Sequence, residues 1–225
     1  MSTNPSARLI LYGNATWNSP YVLSAFVGLT EKKLPFDVRE VALHEGAQRS
    51  SDYVRTSFTA RVPALVDGSF SLSESSAIIE YLEDKWPAPA HAALLPRDLE
   101  QRARARQMMA WVRSDLMPIR EERSTEYVFY PHDCLPPYAP LSAQALRAVD
   151  KLVSVAERVV PADAGPLFGA WSIADTDLAM MLQRLVRTHQ PLPARVQAFA
   201  EREWQRPSVQ AFVNARRPPF RPVLS

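Results

Sequence analysis

The chain has 225 residues, of which 47% are hydrophobic and 22% are charged, as is typical of a globular protein with one large or two modest domains. The net charge of +2 is too small to favour nucleic acid or an anionic membrane as a partner. No apolar run approaches membrane-spanning length, and nothing near the N-terminus resembles a signal peptide. The single cysteine, Cys134, excludes an internal disulfide framework, so we expect a cytoplasmic protein.

The first part of the chain alternates between strand and helix patterns. Residues 8–12 form an apolar run typical of a strand, which Gly13-Asn14 is expected to break. Ser19-Pro20 combines a capping serine with a first-turn proline, and predicts a helix over residues 21–34 with a basic last turn. Residues 36–43 alternate as a second strand, and residues 44–57 predict a loop with a short irregular helix.

A hairpin and a third helix follow. Two apolar runs, Ala64-Leu65-Val66 and Phe70-Ser71-Leu72, are separated by the turn signal Asp67-Gly68. The next residues, Ser73 to Ser76, precede a helical pattern that ends before Pro87, and their hydroxyls are natural partners for first-turn amides. Those amides and the helix dipole favour a bound carboxylate, while Glu74 beside them favours an ammonium. The corner therefore suits a zwitterionic amino-acid group.

The second part of the chain predicts helices only. The proline-rich stretch 87–91 indicates a domain boundary. A long helical stretch covers residues 99–123, in which Pro118 is expected to produce a kink or an end. Further helices are predicted over residues 141–160, 193–201 and 205–216, with a loop at 131–140 and a proline-rich tail. Ser172-Ile173-Ala174-Asp175 is typical of a capping box that opens a buried helix.

The segments Val62-Pro63-Ala64-Leu65, Leu72 to Ile78 and Glu80-Tyr81-Leu82 together resemble the glutathione-binding half of the soluble glutathione transferases. The resemblance implies a thioredoxin-like α/β domain with a mixed four-stranded sheet over residues 1–86, a linker at 87–96 and an all-α domain at 97–225. It also implies a cis peptide before the proline. The Val62 backbone would then pair with the cysteinyl unit of glutathione, and Glu74 and Ser75 would hold the γ-glutamyl end.

The residues before the first helix suggest a hydrogen-bond donor for the glutathione sulfur. Trp17-Asn18-Ser19-Pro20-Tyr21 resembles the Trp-x-Ser-Pro-Phe stretch of serine-type members such as the tau class, although the loop before it is about two residues longer. The resemblance implies that Ser19 donates to the sulfur. Two alternatives stay open, since Ser19 can simply cap its helix and Tyr12 at the end of the first strand is a rival donor. Thr16 and Asn18 are weaker substitutes.

The resemblance implies that glutathione is a co-substrate and that no cofactor or metal is permanently bound. It implies conjugation of glutathione to small electrophiles or reduction of organic peroxides. It also implies a homodimer formed through residues 78–86 and 99–113. Different readings of the same fold are a non-catalytic binding module and a glutathione-dependent disulfide reductase. The histidines are scattered without metal-ligand spacing, and no glycine-rich phosphate loop occurs. The remaining candidates are Arg61, Gln48 and Arg49 for the glycine carboxylate, and Tyr12, Trp111 and Met108 for the electrophile pocket.

Overall fold

The computed structural model describes residues 8–220, which divide into two compact units. The first unit contains the residues up to Leu94 together with Asn214–Arg217, and the second contains Leu95–Val213 and the residues from Pro218 onward. The domain limits 1–86, 87–96 and 97–225 stay predictions of the sequence. None of the helices within residues 8–220 is both long enough and apolar enough to cross a membrane.

The first unit is a mixed four-stranded sheet with three α-helices and two short 3-10 turns. The strand order is β2-β1-β3-β4, in which β1 pairs parallel with β2 and antiparallel with β3. The predicted thioredoxin-like arrangement is confirmed, with the first hairpin strand inside the sheet and the second at its edge. The elements are β1 Leu9–Asn14, α1 Pro20–Glu31, β2 Phe36–Val41, the 3-10 turns Leu43–Glu45 and Ala47–Arg49, α2 Ser51–Thr56, β3 Ala64–Asp67, β4 Phe70–Ser73 and α3 Ser75–Lys85.

Strand β1 is longer than the sequence predicts. Gly13 and Asn14 continue its ladder and pair with Glu40 and Val41 of β2, so the expected break at Gly13-Asn14 is wrong. A Cβ atom at Gly13 would lie 2.8 Å from Cγ1 of Val22 in α1. The glycine is therefore needed because the helix lies close against the strand, and not because the strand ends there.

The end of α1 also differs from the prediction. The helix stops at Glu31, so its last turn holds no basic residue, and the side chain of Lys32 is fully buried. Its Nζ lies 2.8 Å from Oε2 of Glu83 and donates to the carbonyl oxygens of Trp86 at 2.7 Å and Ala92 at 2.9 Å. The same Glu83 oxygen accepts from the amide of Leu94 at 2.9 Å. The buried ammonium thus fastens the first helix to the chain that follows α3.

The second unit is helical, and residues 95–220 contain no β-strand. Its central helix, α8, is buried from Ile173 to Leu185 and packs against α4 and α9. The all-α prediction for the second half of the chain is confirmed. The helices are α4 Leu99–Ser114, α5 Met117–Glu122, α6 Glu126–Phe129, α7 Ala143–Val159, α8 Ile173–Val186, α9 Ala194–Trp204 and α10 Pro207–Val213, with a 3-10 turn at His132–Cys134.

The stretch predicted as one long helix over residues 99–123 is two helices. Helix α4 ends at Ser114, and Leu116 adopts φ 64°, a left-handed conformation that an α-helix does not accommodate. Pro118 therefore lies in the first turn of α5, a position where its missing amide costs nothing. Of the two expected outcomes near Pro118, a kink or a helix end, the structure has the end: α4 stops at Ser114, and the proline lies at the start of the next helix.

The predicted capping box at the start of α8 is confirmed. The Asp175 carboxylate accepts from the amide of Ser172 at 2.9 Å, from the Ser172 hydroxyl at 2.9 Å and from the amide of Leu167 at 2.7 Å. Burial raises the pKa of this carboxyl group, and the three donors act against that shift. The box fixes the start of the central helix and holds the preceding loop against it.

Candidate functional site

The strand register brings the predicted glutathione-binding segments of the first unit to one end of the sheet. Asn14 at the end of β1 pairs with Val41 at the end of β2, and Tyr12 of β1 pairs with Ala64 at the start of β3. Ala64 in turn pairs with Ser73, the last residue of β4. The loop before α1, the segment before β3, the start of α3 and the turns after β2 therefore all leave the sheet at this end.

Ser19 is the N-cap of α1. Its Oγ accepts a hydrogen bond from the amide of Val22 at 3.3 Å, and Pro20 occupies the first turn, as the sequence predicts. Among residues 8–220, the hydroxyl proton of Ser19 has no protein acceptor. The Ser19 oxygen thus caps the helix as an acceptor, while the hydroxyl proton can still be donated to a group over the helix N-terminus. The macrodipole favours negative charge at that position.

The loop that carries Ser19 is organised by the buried side chain of Asn14. Its Nδ2 donates to Oγ1 of Thr16 and to Oδ1 of Asn18, both at 2.6 Å, and its Oδ1 accepts from the amide of Ser19 at 3.3 Å. The Thr16 hydroxyl donates to Oδ1 of Asn18 at 2.8 Å. The Thr16 and Asn18 side chains, the weaker substitutes for the sulfur donor, therefore bond to each other and to Asn14.

The peptide bond between Val62 and Pro63 is cis, as the resemblance implies. Arg61, the residue before Val62, is held by hydrogen bonds to both its carbonyl and its amide. The carbonyl accepts from the phenol of Tyr53 and from the hydroxyl of Ser57, each at 2.8 Å, and the amide donates to the Ser57 hydroxyl at 3.2 Å. Burial is the main reason that the pKa of Tyr53 rises to about 12, so its phenol stays a donor at all physiological pH values. These bonds fix the backbone immediately before Val62, and so fix the position of Val62 at the start of the chain that enters β3.

Glu74 lies at the corner between β4 and α3 in a strained conformation, with φ 73° and ψ 117°. A residue with a side chain adopts such angles at a cost of roughly 1 to 3 kcal/mol, which surrounding structure must offset. Glu74 is the N-cap of α3, and its side chain makes no capping bond. Its exposed carboxylate has no protein partner among residues 8–220, whereas Ser75 beside it is buried.

Tyr12, the rival donor, packs on another helix. Its ring lies edge to face with that of Tyr53 in α2, at 5.7 Å between centroids, within a cluster that includes Val41 and Val62. Its hydroxyl accepts from Nη1 of Arg39 at 3.1 Å. Tyr12 is thus a packing residue of the sheet face that α2 covers, with its phenol oxygen bonded to a guanidinium.

The candidates for the glycine carboxylate divide into exposed cations and a half-buried amide. The guanidinium-bearing residues Arg61 and Arg49 are exposed. Gln48, in the turn Ala47–Arg49 after β2, has a buried Oε1 that no hydrogen-bond donor of residues 8–220 reaches. A buried unpaired amide oxygen is unusual, and it makes Gln48 the candidate whose side chain has most to gain from a polar ligand.

Met108 and Trp111 lie on α4 in the second unit. Met108 is buried with Met109 and Val112 of the same helix, and the indole of Trp111 donates to Oδ2 of Asp115 at 2.9 Å. Their part in an electrophile pocket stays a prediction. Within residues 8–220, no group of three or more His, Cys, Asp or Glu side chains could hold a metal ion.

Several residues that shape this site were missed by sequence reasoning. Asn14 was read only as part of a break, although an asparagine after a strand often bonds to the chain just beyond it. Tyr53 and Ser57 lie in the stretch predicted as a loop with a short irregular helix, which the structure has as α2, but their bonds to Arg61 were not predicted. Arg217, which contacts the loop before Ser19, lies 200 residues from it, and no local pattern could have revealed that contact.

Comparisons with known proteins agree with this geometry. Residues 18–85 match the family described as "Glutathione S-transferase, N-terminal domain", and residues 98–216 match "Glutathione S-transferase, C-terminal domain". Glutathione S-transferase Z1 of Arabidopsis thaliana is 35% identical over 128 residues, 57% of this chain and 56% of that protein. Glutathione S-transferase theta-3 of Mus musculus is 30% identical over 135 residues, 60% of this chain and 55% of that protein. The chain thus spans just over half the length of these two curated relatives.

A solved structure extends the similarity to nearly the whole chain. It is the crystal structure of a glutathione transferase homolog from Burkholderia GL BGR1 with bound glutathione. That protein is 44% identical, with a TM-score of 0.75, and the match covers 92% of this chain and 96% of that one.

Proposed function

Because the chain belongs to the glutathione S-transferase family, we propose that it is an enzyme that binds glutathione, stabilises its thiolate and adds that thiolate to small electrophiles. Glutathione acts as a co-substrate and not as a permanently bound group. The observation that carries the proposal is the register of the sheet, which puts a helix-capping hydroxyl, a cis-proline segment and an unpaired carboxylate at one end of one unit. The 44% identical homolog with bound glutathione supports it.

The chemical task is small enough for one hydroxyl. A free thiol has a pKa of about 8.5, so only a few per cent is thiolate at neutral pH. Lowering that pKa by one to two units takes about 1.4 to 2.7 kcal/mol. One hydrogen bond to a charged group supplies about 1.5 to 3 kcal/mol, and a helix N-terminus adds about 0.3 to 1 kcal/mol. In the proposal Ser19 donates its proton to the sulfur, and no metal is required.

The remaining parts of glutathione are proposed to bind to backbone groups and to side chains of both negative and positive charge. The Val62 backbone pairs with the cysteinyl unit, and its geometry is supported by the bonds that hold the Arg61 carbonyl. The exposed carboxylate of Glu74 takes the γ-glutamyl ammonium, while the start of α3 at Ser75 takes the adjoining carboxylate. Arg61, Gln48 and Arg49 are the candidates for the glycine carboxylate, and the strain at Glu74 is consistent with a functional corner.

The proposal is tested by replacing Ser19 with alanine. We expect Ser19→Ala to raise the pKa of bound glutathione by about one unit or more, with a fall in kcat/KM of at least about tenfold at pH 6.5, while glutathione affinity changes little. The thiolate is followed by its ultraviolet absorbance as pH is varied. Ser142→Ala is the control for the loss of a helix cap. Ser142 caps α7 with Oγ 3.1 Å from the Ala145 amide and also donates to Glu122, so its loss is expected to cost the fold at least as much as that of Ser19.

Three outcomes would redirect the assignment. If Tyr12→Phe raises the thiol pKa and Ser19→Ala does not, tyrosine is the donor. If the wild type binds glutathione but turns over no electrophile or peroxide, the chain is a binding module. If it reduces glutathione mixed disulfides much faster than it conjugates electrophiles, the disulfide-reductase alternative is correct.

We further propose a cytoplasmic homodimer formed through residues 78–86 and 99–113. An exposed apolar side chain supports this association surface, since Leu99 at the start of α4 is 77% exposed. Met108 and Trp111 of α4 are proposed to contact the electrophile, and the part of Tyr12 stays a prediction of the sequence.

A further inference from the structure

The carbonyl oxygen of Trp17, two residues before Ser19, is held by an arginine from the far end of the chain. Nε of Arg217 lies 3.1 Å from this oxygen and Nη2 lies 2.9 Å from it, while Nη1 donates to the Ala215 carbonyl at 3.0 Å. Arg217 belongs to the first unit with Asn214 to Arg216, although it follows Trp17 by 200 residues. The guanidinium thus directs two N–H groups at one backbone oxygen of the Ser19 loop.

Trp17 occupies a conformation that needs such support. Its φ is 47°, in the left-handed region that a bulky residue rarely adopts. The amide donates to the Asn14 carbonyl at 3.0 Å, and the indole donates to Oε1 of Glu40 at 2.7 Å. The ring packs edge to face on Phe26 of α1, at 5.9 Å between centroids. With its amide and indole N–H bonded to these groups, the remaining backbone group, the carbonyl, is the one that Arg217 takes.

These contacts fix the loop from two sides. Asn14 bonds to the amide of Ser19 and to the Thr16 and Asn18 side chains from within. Arg217 holds the intervening carbonyl and carries a charge that no physiological pH removes. A charged donor makes a hydrogen bond about twice as strong as a neutral one. A lysine in its place would keep the charge but not the planar pair of donors.

We propose that Arg217 is a positioning residue that sets the direction of the Ser19 hydroxyl through the Trp17 carbonyl. The claim that Arg217 affects thiolate formation rests on the proposed role of Ser19, whereas the claim that Arg217 holds the loop does not. Without the arginine, the loop relaxes from its left-handed conformation and Ser19 still caps α1, but its proton no longer points consistently at the sulfur. The loss therefore appears in thiolate formation, while the other contacts to glutathione are unchanged.

The test uses the full chain with the variants Arg217→Ala and Arg217→Lys, and with Arg216→Ala as the control. Arg216 is an exposed arginine whose side chain makes no hydrogen bond or ion pair with any of residues 8–220. Hydrogen–deuterium exchange of the peptide covering residues 14–22 reports the loop without any need for activity. We expect Arg217→Ala to speed exchange there about tenfold, Arg217→Lys to give an intermediate value and Arg216→Ala to match the wild type. Exchange in Arg217→Ala equal to the wild type overturns the inference.

The second measurement is the pH profile of bound glutathione and of kcat/KM in the same variants. We expect Arg217→Ala to raise the thiol pKa by about half to one unit, equivalent to a three- to tenfold fall in kcat/KM below that pKa, with glutathione affinity within about twofold of wild type. Faster exchange with an unchanged thiol pKa refutes the positioning role. If the wild type itself forms no thiolate and turns over no electrophile, the proposed function fails, and the exchange data still decide whether Arg217 holds the loop.

Discussion

Replacing Lys32 with methionine is expected to destabilise the first unit more than almost any other single substitution of a polar residue. The ammonium is fully buried and has three acceptors: the carboxylate of Glu83 and the carbonyls of Trp86 and Ala92. Methionine keeps most of the aliphatic volume but removes the donor to both carbonyls, and it leaves the Glu83 carboxylate with the Leu94 amide and no cation. The loss of stability in this variant therefore measures the electrostatic contacts of the ammonium and not the cost of a cavity.

The magnitude follows from removing one member of a buried pair, which costs about 3 to 5 kcal/mol because the other charge is left uncompensated. That is a large part of the 5 to 15 kcal/mol that typically separates folded from unfolded chains. At about 2 to 4 °C per kcal/mol for a chain of this size, Tm falls by about 6 to 20 °C. Urea unfolding followed by circular dichroism measures the same free energy independently.

The neighbouring Lys33 is the matched control, since its side chain is exposed and the same change to methionine removes the same charge. We expect Lys33→Met to alter stability by no more than about 0.5 kcal/mol. The double variant Lys32→Met/Glu83→Gln is expected to cost less than the sum of its single changes, because it leaves no unpaired carboxylate. A Lys32→Met protein as stable as Lys33→Met would show that the buried ammonium does not hold α1 to the segment after α3.

Two further predictions concern association and pH. Leu99→Ser is expected to shift the protein from dimer to monomer in sedimentation analysis at micromolar concentration, because Leu99 is 77% exposed within the proposed contact. Leu146→Ser, at a side chain 47% exposed on α7 and outside that contact, is expected to stay dimeric; equal behaviour of the two variants would exclude Leu99 from the contact. The Lys151 ammonium, helped by backbone and indole N–H donors, lowers the pKa of Asp115 from 3.8 to about 2. Because the folded-state pKa is the lower one, the carboxylate stabilises the fold above about pH 4, and this contribution is lost as pH falls toward 2. The stability difference between wild type and Asp115→Asn should therefore narrow over that interval, and a difference that stays constant would contradict the shifted pKa.

Much of the first unit could be predicted because its signals are local. The Asp67-Gly68 turn between two apolar runs defines the hairpin, and Ser19-Pro20 defines the start of α1 without reference to any other part of the chain. The cis bond before Pro63 followed from resemblance alone, because its isomer is set by tertiary surroundings that a local pattern does not describe.

What could not be predicted depends on partners distant in sequence. Lys32 looks like an ordinary basic residue at a helix end, and its burial follows only once Glu83 and two carbonyls from the segment after α3 are in place. Gly13 looks like a strand terminator until the close approach of Val22 is known. For the site, the chemistry-bearing residues were recognisable, but the side chains that support them were not, since their hydrogen bonds connect different elements.

The first unit is assembled from two pieces of the chain that are made at different times. During synthesis, residues up to Leu94 leave the ribosome long before Asn214–Arg217, so the growing sheet and its helices can form while the loop before Ser19 still lacks one of its anchors. The polypeptide acquires that anchor only after the helical segment Leu95–Val213 has been synthesised. A truncation or proteolytic cut that removes Arg217 therefore acts on a loop 200 residues earlier, next to the serine that is proposed to activate glutathione.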